Sequence, residues 1–208
     1  MKIMVTGFGH FLDNDANPTK EILGLLPKSI YGHELIKVEL PVIYDECFTT
    51  LKTFVGRHKP QILIMLGLAG GRTAITLERI AVNLKDTMVA DNVGNIPHDE
   101  AIIKDGDIAY FSRLPLREIE ARLREKNIPV MISNTAGLYV CNNIFYHVMH
   151  YIDKHNLPTI TGFIHVPFMD GQEKPEGAFS MPLNQMLEAV IDSIKTVLNR
   201  KEKGKYVN

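Results

Sequence analysis

The fold is decided by the stretch Ser133-Asn134-Thr135-Ala136-Gly137-Leu138-Tyr139-Val140-Cys141-Asn142-Asn143. The residues before it, 128–133, are mostly apolar and partly β-branched, which predicts a short buried strand. The residues after it, 144–153, carry apolar side chains at helical spacing. Between the two, Asn, Thr and Gly favour a tight reversal of the chain. A strand therefore turns into a helix here, and Cys141 lies at or near the first turn of that helix.

Cys141 is a candidate nucleophile because of this position. The unpaired N–H groups of a helix start favour a thiolate, so the sequence predicts a lowered pKa for the Cys141 thiol. The alternative is a small buried thiol that packs the corner between strand and helix. The position alone leaves both interpretations open.

The composition limits the class of protein. The 208 residues carry a net charge of −1 and no long basic run, which argues against nucleic acid as the main partner. The longest apolar run, 62–68, is too short to span a membrane. A strand pattern begins at Lys2, so no signal peptide is expected. Two cysteines, Cys47 and Cys141, predict no disulfide framework, and we expect a cytoplasmic protein with reduced thiols.

Strand and helix patterns alternate along the chain. This alternation predicts one α/β domain, with a mostly parallel sheet covered on both faces by helices. We assign residues 1–198 to this single domain and 199–208 to a polar, frayed tail. The main strands are expected at 2–7, 33–40, 61–66, 128–133 and 159–166, and residues 75–83 are expected to form a strand or a hairpin arm. The main helices are expected at 18–26, 45–55, 115–126 and 182–198.

The special residues fall at the ends of predicted strands. Phe8, Gly67, the Cys141 loop and His165 each follow or close such a strand. Because the carboxyl ends of parallel strands meet at one edge of a sheet, we expect these residues to share a site there.

His165 and Glu78 are the titratable candidates for that site. His165 closes an apolar strand, where it is either a general base or a buried imidazole bonded to a backbone carbonyl. Glu78 lies in an otherwise apolar stretch and needs a partner. The partner is either a cation, Arg72 or Arg79, or the second nitrogen of His165, whose tautomer an acid would fix.

A glycine-rich loop and two phenylalanines are further features of the sequence near the predicted strand ends. The glycine-rich loop 67–72 lacks the spacing of a phosphate-binding loop, so it is expected to let backbone approach another group. Phe8 and Phe11 flank the first loop and either cover the sheet edge or line an apolar pocket. No cluster has metal-ligand spacing, so neither a metal nor another cofactor is expected.

These residues together resemble pyroglutamyl peptidase I, a family of cysteine exopeptidases. The resemblance covers nearly the whole chain and implies an α/β/α sandwich with a twisted, phosphorylase/hydrolase-like sheet. It also implies removal of N-terminal pyroglutamate from peptides, through a thioester, by a homotetramer. The matching pieces are Asn17-Pro-Thr19, Gly70-Gly-Arg72, Glu78-Arg79, Val82-Asn83, Asp91-Asn92, Ser133-Asn134, Ala136-Gly137, Val140-Cys-Asn142 and Gly162-Phe-Ile-His-Val-Pro167.

The resemblance also implies roles for single residues. The family's nucleophile, base and orienting acid fall on Cys141, His165 and Glu78. Its two ring-packing phenylalanines and further pocket wall fall on Phe8, Phe11, Tyr139 and Val140.

The chain departs from the family pattern at several positions. Met88 stands where the family has an active-site arginine, Leu68 where it has glutamine, and Val42 where it has threonine. The first loop, 7–13, also differs from the usual Gly-Phe-x-Pro-Phe-Gly-Gly. The loss of a cation at Met88 predicts slow turnover, because a cation near the site would favour the thiolate and the developing oxyanion.

Three other functions stay open at this point. One is a cysteine hydrolase with a shifted, more apolar acyl specificity. Another is a binding protein that keeps the fold but turns over poorly. The last is a nucleoside-phosphorylase-like enzyme, which would need positive charge for phosphate, and the methionine at position 88 counts against it.

Overall fold

The computed structural model describes residues 1–11 and 16–202. Its strands are β1 (Lys2–Phe8), β2 (Ser29–Ile30), β3 (His33–Leu40), β4 (Ile62–Leu68), β5 (Ile75–Glu78), β6 (Ile80–Val82), β7 (Ala109–Phe111), β8 (Val130–Ser133), β9 (Ile160–Val166), β10 (Phe168–Met169) and β11 (Ser180–Met181). Its helices are α1 (Pro18–Leu25), α2 (Glu46–His58), α3 (Leu116–Glu125), α4 (Val140–Lys154) and α5 (Leu183–Glu202).

Seven of these strands form the central sheet, in the order β2-β3-β1-β4-β9-β5-β8. The strands β3, β1, β4 and β9 run parallel, as the alternating pattern predicts. Two small pairs lie outside the sheet, β6 with β7 and β10 with β11. The strands of two residues, β2, β10 and β11, were not anticipated, because so short a segment carries no periodicity.

Helices cover both faces of the sheet, so the α/β/α sandwich is confirmed. On one face α1, α3 and α5 bury the side chains of Ile3, Ile64 and Ile164. On the other face α2 and α4 bury Met4, Met65 and Phe163. Each strand thus contributes alternate side chains to two apolar layers, which explains why the central strands are apolar throughout.

The direction of β5 and β8 corrects the expected topology. β5 pairs antiparallel with β9, and β8 runs parallel to β5. The end of β8 therefore does not meet the carboxyl ends of β1, β4 and β9. Residues 134–139 instead carry the chain from Ser133 back to the start of α4, next to Gly67.

The helix ends follow from local chemistry. Asn17 caps α1 by accepting a hydrogen bond from the Thr19 N–H at 3.0 Å, with Pro18 as the first helical residue, as predicted. The boundary of the predicted tail is wrong, since α5 continues to Glu202. Its last turn carries Arg200 and Lys201, which suit the negative end of a helix. The predicted tail residues 203–208 lie outside the described part of the chain.

Candidate active site

The register of the central strands brings three residues to one level of the sheet. Gly67 pairs with His165 across β4 and β9, and the register of β1 with β4 puts Phe8 beside Gly67. The His165 ring lies 4.8 Å from that of Phe163, on the face that α4 covers. The prediction that strand ends gather these residues is confirmed for β1, β4 and β9.

Cys141 is the second residue of α4, as the sequence predicted. The preceding residue outside the helix, Tyr139, is extended and forms no side-chain cap, so the N–H groups of the first turn stay available. The Cys141 Sγ lies 2.9 Å from where a Cβ on Gly67 would be, and the Phe163 ring lies 2.8 Å from the same point. The missing side chain of Gly67 therefore makes room for the thiol.

The pKa of the Cys141 thiol is raised to about 12, which contradicts the lowered value expected from the helix start. Burial is the main cause, because it disfavours the charged thiolate, and the negative charge of Glu78 adds to it. Burial and the Glu78 carboxylate both act in the direction opposite to the helix start, which favours an anion. The free thiol of Cys141 is consequently neutral at pH 7.

Glu78 is the partner of His165. Its Oε1 lies 2.8 Å from His165 Nδ1, and the two side chains are 0% and 4% exposed. The alternative of an ion pair between Glu78 and Arg72 is wrong, because the Arg72 guanidinium donates to Ser133 Oγ and to the Thr135 carbonyl. Arg72 thus holds the loop that precedes α4. A buried carboxylate on Nδ1 leaves Nε2 as the nitrogen that faces outward from the pair.

A cavity of about 800 Å³ opens beside Cys141. Such a volume is typical of sites for small organic ligands. It includes all the predicted pocket residues, and its lining consists of Phe8, Phe11, Ala16, Asn17, Val42, Leu68, Gly70, Tyr139, Val140, Cys141, Phe168, Glu173, Lys174 and Pro175.

One side of the cavity is aromatic, and we call Phe8, Phe11 and Tyr139 its aromatic wall. The Tyr139 ring packs edge-on against Phe11 at 5.8 Å and against Tyr44 at 5.5 Å. Its hydroxyl donates to the Ala90 carbonyl at 2.9 Å. These contacts hold the Tyr139 ring in place. The open choice between edge cover and pocket lining is settled in favour of lining for Phe8 and Phe11.

The backbone of Phe8 is fixed by residues that the sequence identified only as a helix cap. The Phe8 N–H donates to Thr19 Oγ1 at 2.8 Å, and Thr19 is fully buried. The Asn17 side-chain amide donates to the Gly9 carbonyl at 2.8 Å. The start of α1 therefore positions the first phenylalanine. Part of the first loop, residues 12–15, lies outside the described residues.

Asp91 organises the loop 86–97 beside the aromatic wall, a role that was not predicted although Asp91-Asn92 belongs to the family pattern. Its carboxylate accepts hydrogen bonds from the backbone of Tyr44, Val93 and Asn95. Burial raises the pKa of Asp91, but these bonds and that from the Asn95 side chain outweigh it and hold the pKa below its ordinary value. A buried, hydrogen-bonded carboxylate in a polar loop leaves no periodic signal in a sequence.

The three departures from the family pattern have different outcomes. Val42 and Leu68 both line the cavity, so apolar side chains stand there where polar ones were expected. Met88 does not line it and is 88% exposed. The exposed side chain weakens the argument that a cation is missing from the site, and the slow turnover expected for that reason stays a prediction. Residues 86–97 turn the side chain at position 88 towards solvent while they hold Asp91 inside.

Within the described residues, no group of three or more His, Cys, Asp or Glu side chains could hold a metal ion. None of the described helices has the length and hydropathy needed to cross a membrane. Both cysteines are free thiols.

The comparison with known proteins is consistent across sequence and structure. The family model "Pyroglutamyl peptidase" matches residues 1–200. The pyrrolidone-carboxylate peptidase of Thermosipho melanesiensis is 41% identical over 97% of this chain and 100% of its own. That of Thermococcus onnurineus is 42% identical over 95% of this chain and 99% of its own.

Solved structures give the same result. Pyroglutamyl peptidase I of Bacillus amyloliquefaciens superposes with a TM-score of 0.91 at 33% identity, covering 95% of this chain and 97% of that one. A mutant pyrrolidone carboxyl peptidase from P. furiosus gives 0.92 at 38% identity, with 96% and 99% covered. Sequence and fold therefore agree that the chain belongs to the pyroglutamyl peptidase family.

Proposed function

We propose that the protein is a cysteine exopeptidase that removes N-terminal pyroglutamate from peptides. Cys141 is the nucleophile, His165 the base and Glu78 the acid that orients it. The observation that carries this proposal is the buried contact of 2.8 Å between His165 Nδ1 and Glu78 Oε1, on the sheet face against which the Cys141 thiol packs. A buried acid on one imidazole nitrogen leaves the other free to exchange a proton with a nucleophile.

The raised pKa of Cys141 bears on how the thiol is activated. Because burial raises the pKa of this thiol, the thiol needs a base that takes its proton for the attack. His165 accepts that proton as the sulfur–carbon bond forms at the pyroglutamyl carbonyl. Glu78 stabilises the imidazolium that results.

The second half of the reaction returns the proton. As the carbon–nitrogen bond breaks, His165 gives the proton to the leaving amine, and the pyroglutamyl group stays on Cys141 as a thioester. Water then hydrolyses the thioester, with His165 as base, and restores the thiol. The backbone N–H of Cys141, in the first turn of α4, is suited to donate to the oxyanion in both steps.

The aromatic wall suits the acyl group. Pyroglutamate is a flat, uncharged lactam without a free α-amine, so ring packing recognises it better than a charged pocket would. Phe8, Phe11 and Tyr139 offer such packing, and Val140 extends it towards the thiol. The substrate class is therefore a peptide with N-terminal pyroglutamate.

The test is release of a fluorophore from a pyroglutamyl amide by the purified protein, with and without a thiol alkylator. We expect hydrolysis that alkylation abolishes. Cys141→Ala should abolish it too, whereas Cys47→Ala should retain it, because Cys47 is fully buried in α2. Activity in Cys141→Ala, or its loss in Cys47→Ala alone, would remove the assignment.

A second candidate is a hydrolase of the same mechanism with a more apolar acyl preference. Val42 and Leu68 favour it, since both put apolar side chains into the cavity. Comparing pyroglutamyl amides with amides of small apolar acyl groups separates the two functions. A poorly active binding homologue would show tight binding of pyroglutamyl peptides without turnover in the same assay.

We also propose that the protein is a cytoplasmic homo-oligomer, a tetramer by family resemblance. Ile108 and Phe111, at the β6–β7 pair, are 88% and 69% exposed, and exposed apolar side chains of this size suit a contact between copies. The free thiols of Cys47 and Cys141 suit a reducing compartment. Light scattering coupled to size-exclusion chromatography gives the oligomeric state directly.

A further inference from the structure

The cavity is larger than the pyroglutamyl ring, and part of its apolar lining has no role in binding that ring. Besides the aromatic wall, the lining includes Leu68, Phe168 and Pro175, which we call the distal wall, and the cavity volume of about 800 Å³ exceeds the space of one lactam. Leu68 directly follows Gly67, against which the Cys141 sulfur packs. The distal wall therefore begins beside the reacting atom.

We propose that the distal wall is the subsite for the first residue of the leaving peptide, and that it favours a large apolar side chain there. This inference rests on the proposed function, because it takes the pyroglutamyl ring to lie on the aromatic wall. The bond to be broken then lies at Cys141, and the residue after it extends into the part of the cavity that the ring leaves free.

Phe168 is held in a fixed position by its neighbours. It pairs with Ser180 where β10 meets β11, which closes the base of the loop 170–179. Its ring packs on Gly70 so closely that a Cβ there would overlap the ring. An aromatic ring fixed by backbone on one side and open to a cavity on the other presents a ready apolar surface.

The loop that carries Pro175 is also docked rather than free. Gln172 is 6% exposed, and its side-chain amide donates to the Ala16 carbonyl at 2.7 Å. Its side-chain oxygen accepts from the Met169 N–H at 3.2 Å. Because Ala16 itself lines the cavity, this bond attaches the loop 170–179 to the cavity lining at Ala16.

The charges in the cavity lining do not select a charged residue. Glu173 and Lys174 both line the cavity and carry opposite signs. The Lys174 ammonium already donates to the Ala178 carbonyl at 2.7 Å. Apolar contact with Leu68, Phe168 and Pro175 is thus the discriminating interaction.

Leu68 makes the preference a property of this chain. Where the family pattern has glutamine, the side chain next to the reaction centre is apolar here. A polar side chain at that point would keep water or polar groups in the subsite, whereas leucine favours their replacement by an apolar group.

The experiment measures kcat/KM for pyroglutamyl-leucine amide and pyroglutamyl-glycine amide with the full chain, and takes the ratio within each protein preparation. We expect the unmodified protein to prefer the leucine substrate by roughly tenfold or more, since apolar pockets discriminate by about 10- to 200-fold per group. Phe168→Ala should lower that ratio severalfold. Leu68→Gln should lower it as well, and it opens no cavity, so the test does not depend on one variant folding.

Phe179→Ala is the matched control, because Phe179 lies in the same loop, is 36% exposed and does not line the cavity. Its ratio should equal that of the unmodified protein. A ratio near one in the unmodified protein, or an unchanged ratio in both Phe168→Ala and Leu68→Gln, overturns the subsite. Failure to cleave either pyroglutamyl amide overturns the proposed function and the subsite together, and this result is distinct from equal cleavage of both.

Discussion

Replacing Glu78 by Gln removes one negative charge from a buried hydrogen-bonded pair and keeps the shape of the side chain. The carboxylate lies 2.8 Å from His165 Nδ1, and both groups are closed off from solvent. In the reaction His165 becomes positively charged, so a hydrogen bond with one charged partner becomes an ion pair between two charged groups. Glu78→Gln removes this stabilisation of the His165 imidazolium from the transition state.

The size of the effect follows from the bond that is lost. A hydrogen bond to a charged group contributes about 1.5–3 kcal/mol. Each 1.36 kcal/mol is a factor of ten in rate, so kcat should fall by roughly 10- to 150-fold. KM should change little, because Glu78 does not line the cavity.

The same substitution should speed alkylation of Cys141. The Glu78 charge raises the pKa of that thiol, after burial, so its removal lowers the pKa and increases the thiolate fraction at fixed pH. Iodoacetamide should therefore modify Cys141 faster in Glu78→Gln than in the unmodified protein. General loosening of the fold would speed alkylation of Cys47 as well. Slower turnover with faster alkylation of Cys141 alone therefore indicates the charge of Glu78 as the cause.

The assay combines steady-state kinetics on a pyroglutamyl amide with mass-spectrometric alkylation rates for both cysteines. Glu100→Gln is the matched control, because it removes a carboxylate that is exposed and pairs with Lys85. It should leave kcat and the Cys141 alkylation rate unchanged. A kcat for Glu78→Gln within twofold of the unmodified protein, or slower alkylation of Cys141, would refute the assigned role of Glu78.

The remaining predictions concern the thiol, the ring pocket and the departure at position 88. With a pKa of about 12, Cys141 should react with iodoacetamide about tenfold faster per pH unit between about pH 6 and about pH 10, and a plateau near pH 7 would contradict this. Phe11→Ala should raise KM, because about 1–3 kcal/mol of binding free energy from packing on the pyroglutamyl ring is lost. An unchanged KM would show that the pyroglutamyl ring binds elsewhere. Met88→Arg should change kcat less than twofold, because the side chain is exposed, and a large rise would restore the original expectation for that position.

The elements that build the sheet could be predicted because their signals are local and repeated. The apolar run 62–68 indicates a strand, and the cap at Asn17 indicates the start of a helix, each from a few neighbouring residues. The partnership of Glu78 with His165 could be proposed because a carboxylate in an apolar strand requires a partner. The choice of His165 over Arg72 followed from three-dimensional packing, which the sequence left open.

Other properties depend on contacts between distant segments. The antiparallel direction of β5 arises from the path of the chain between β4 and β5, which has no sequence signature. The raised pKa of Cys141 comes from burial and from the Glu78 charge, and neither cause is visible in the local sequence of the helix start. Met88 was assigned by position in a motif, but a motif does not say which way a loop side chain turns.

The site joins two parts that are held by different kinds of bonds. His165 and Glu78 lie on β9 and β5, which are directly hydrogen-bonded neighbours in the sheet. Cys141 instead belongs to α4, which packs on the sheet through its side chains and is tied at its start by hydrogen bonds of Asn142 with the backbone of Val82 and Leu84. Heating should therefore separate the nucleophile from an intact acid–base pair before the sheet melts. The rate of amide hydrogen exchange at the start of α4 should then match the rate of thermal inactivation. Strengthening the hydrogen bonds of Asn142, rather than the sheet, should lengthen the lifetime of the active enzyme.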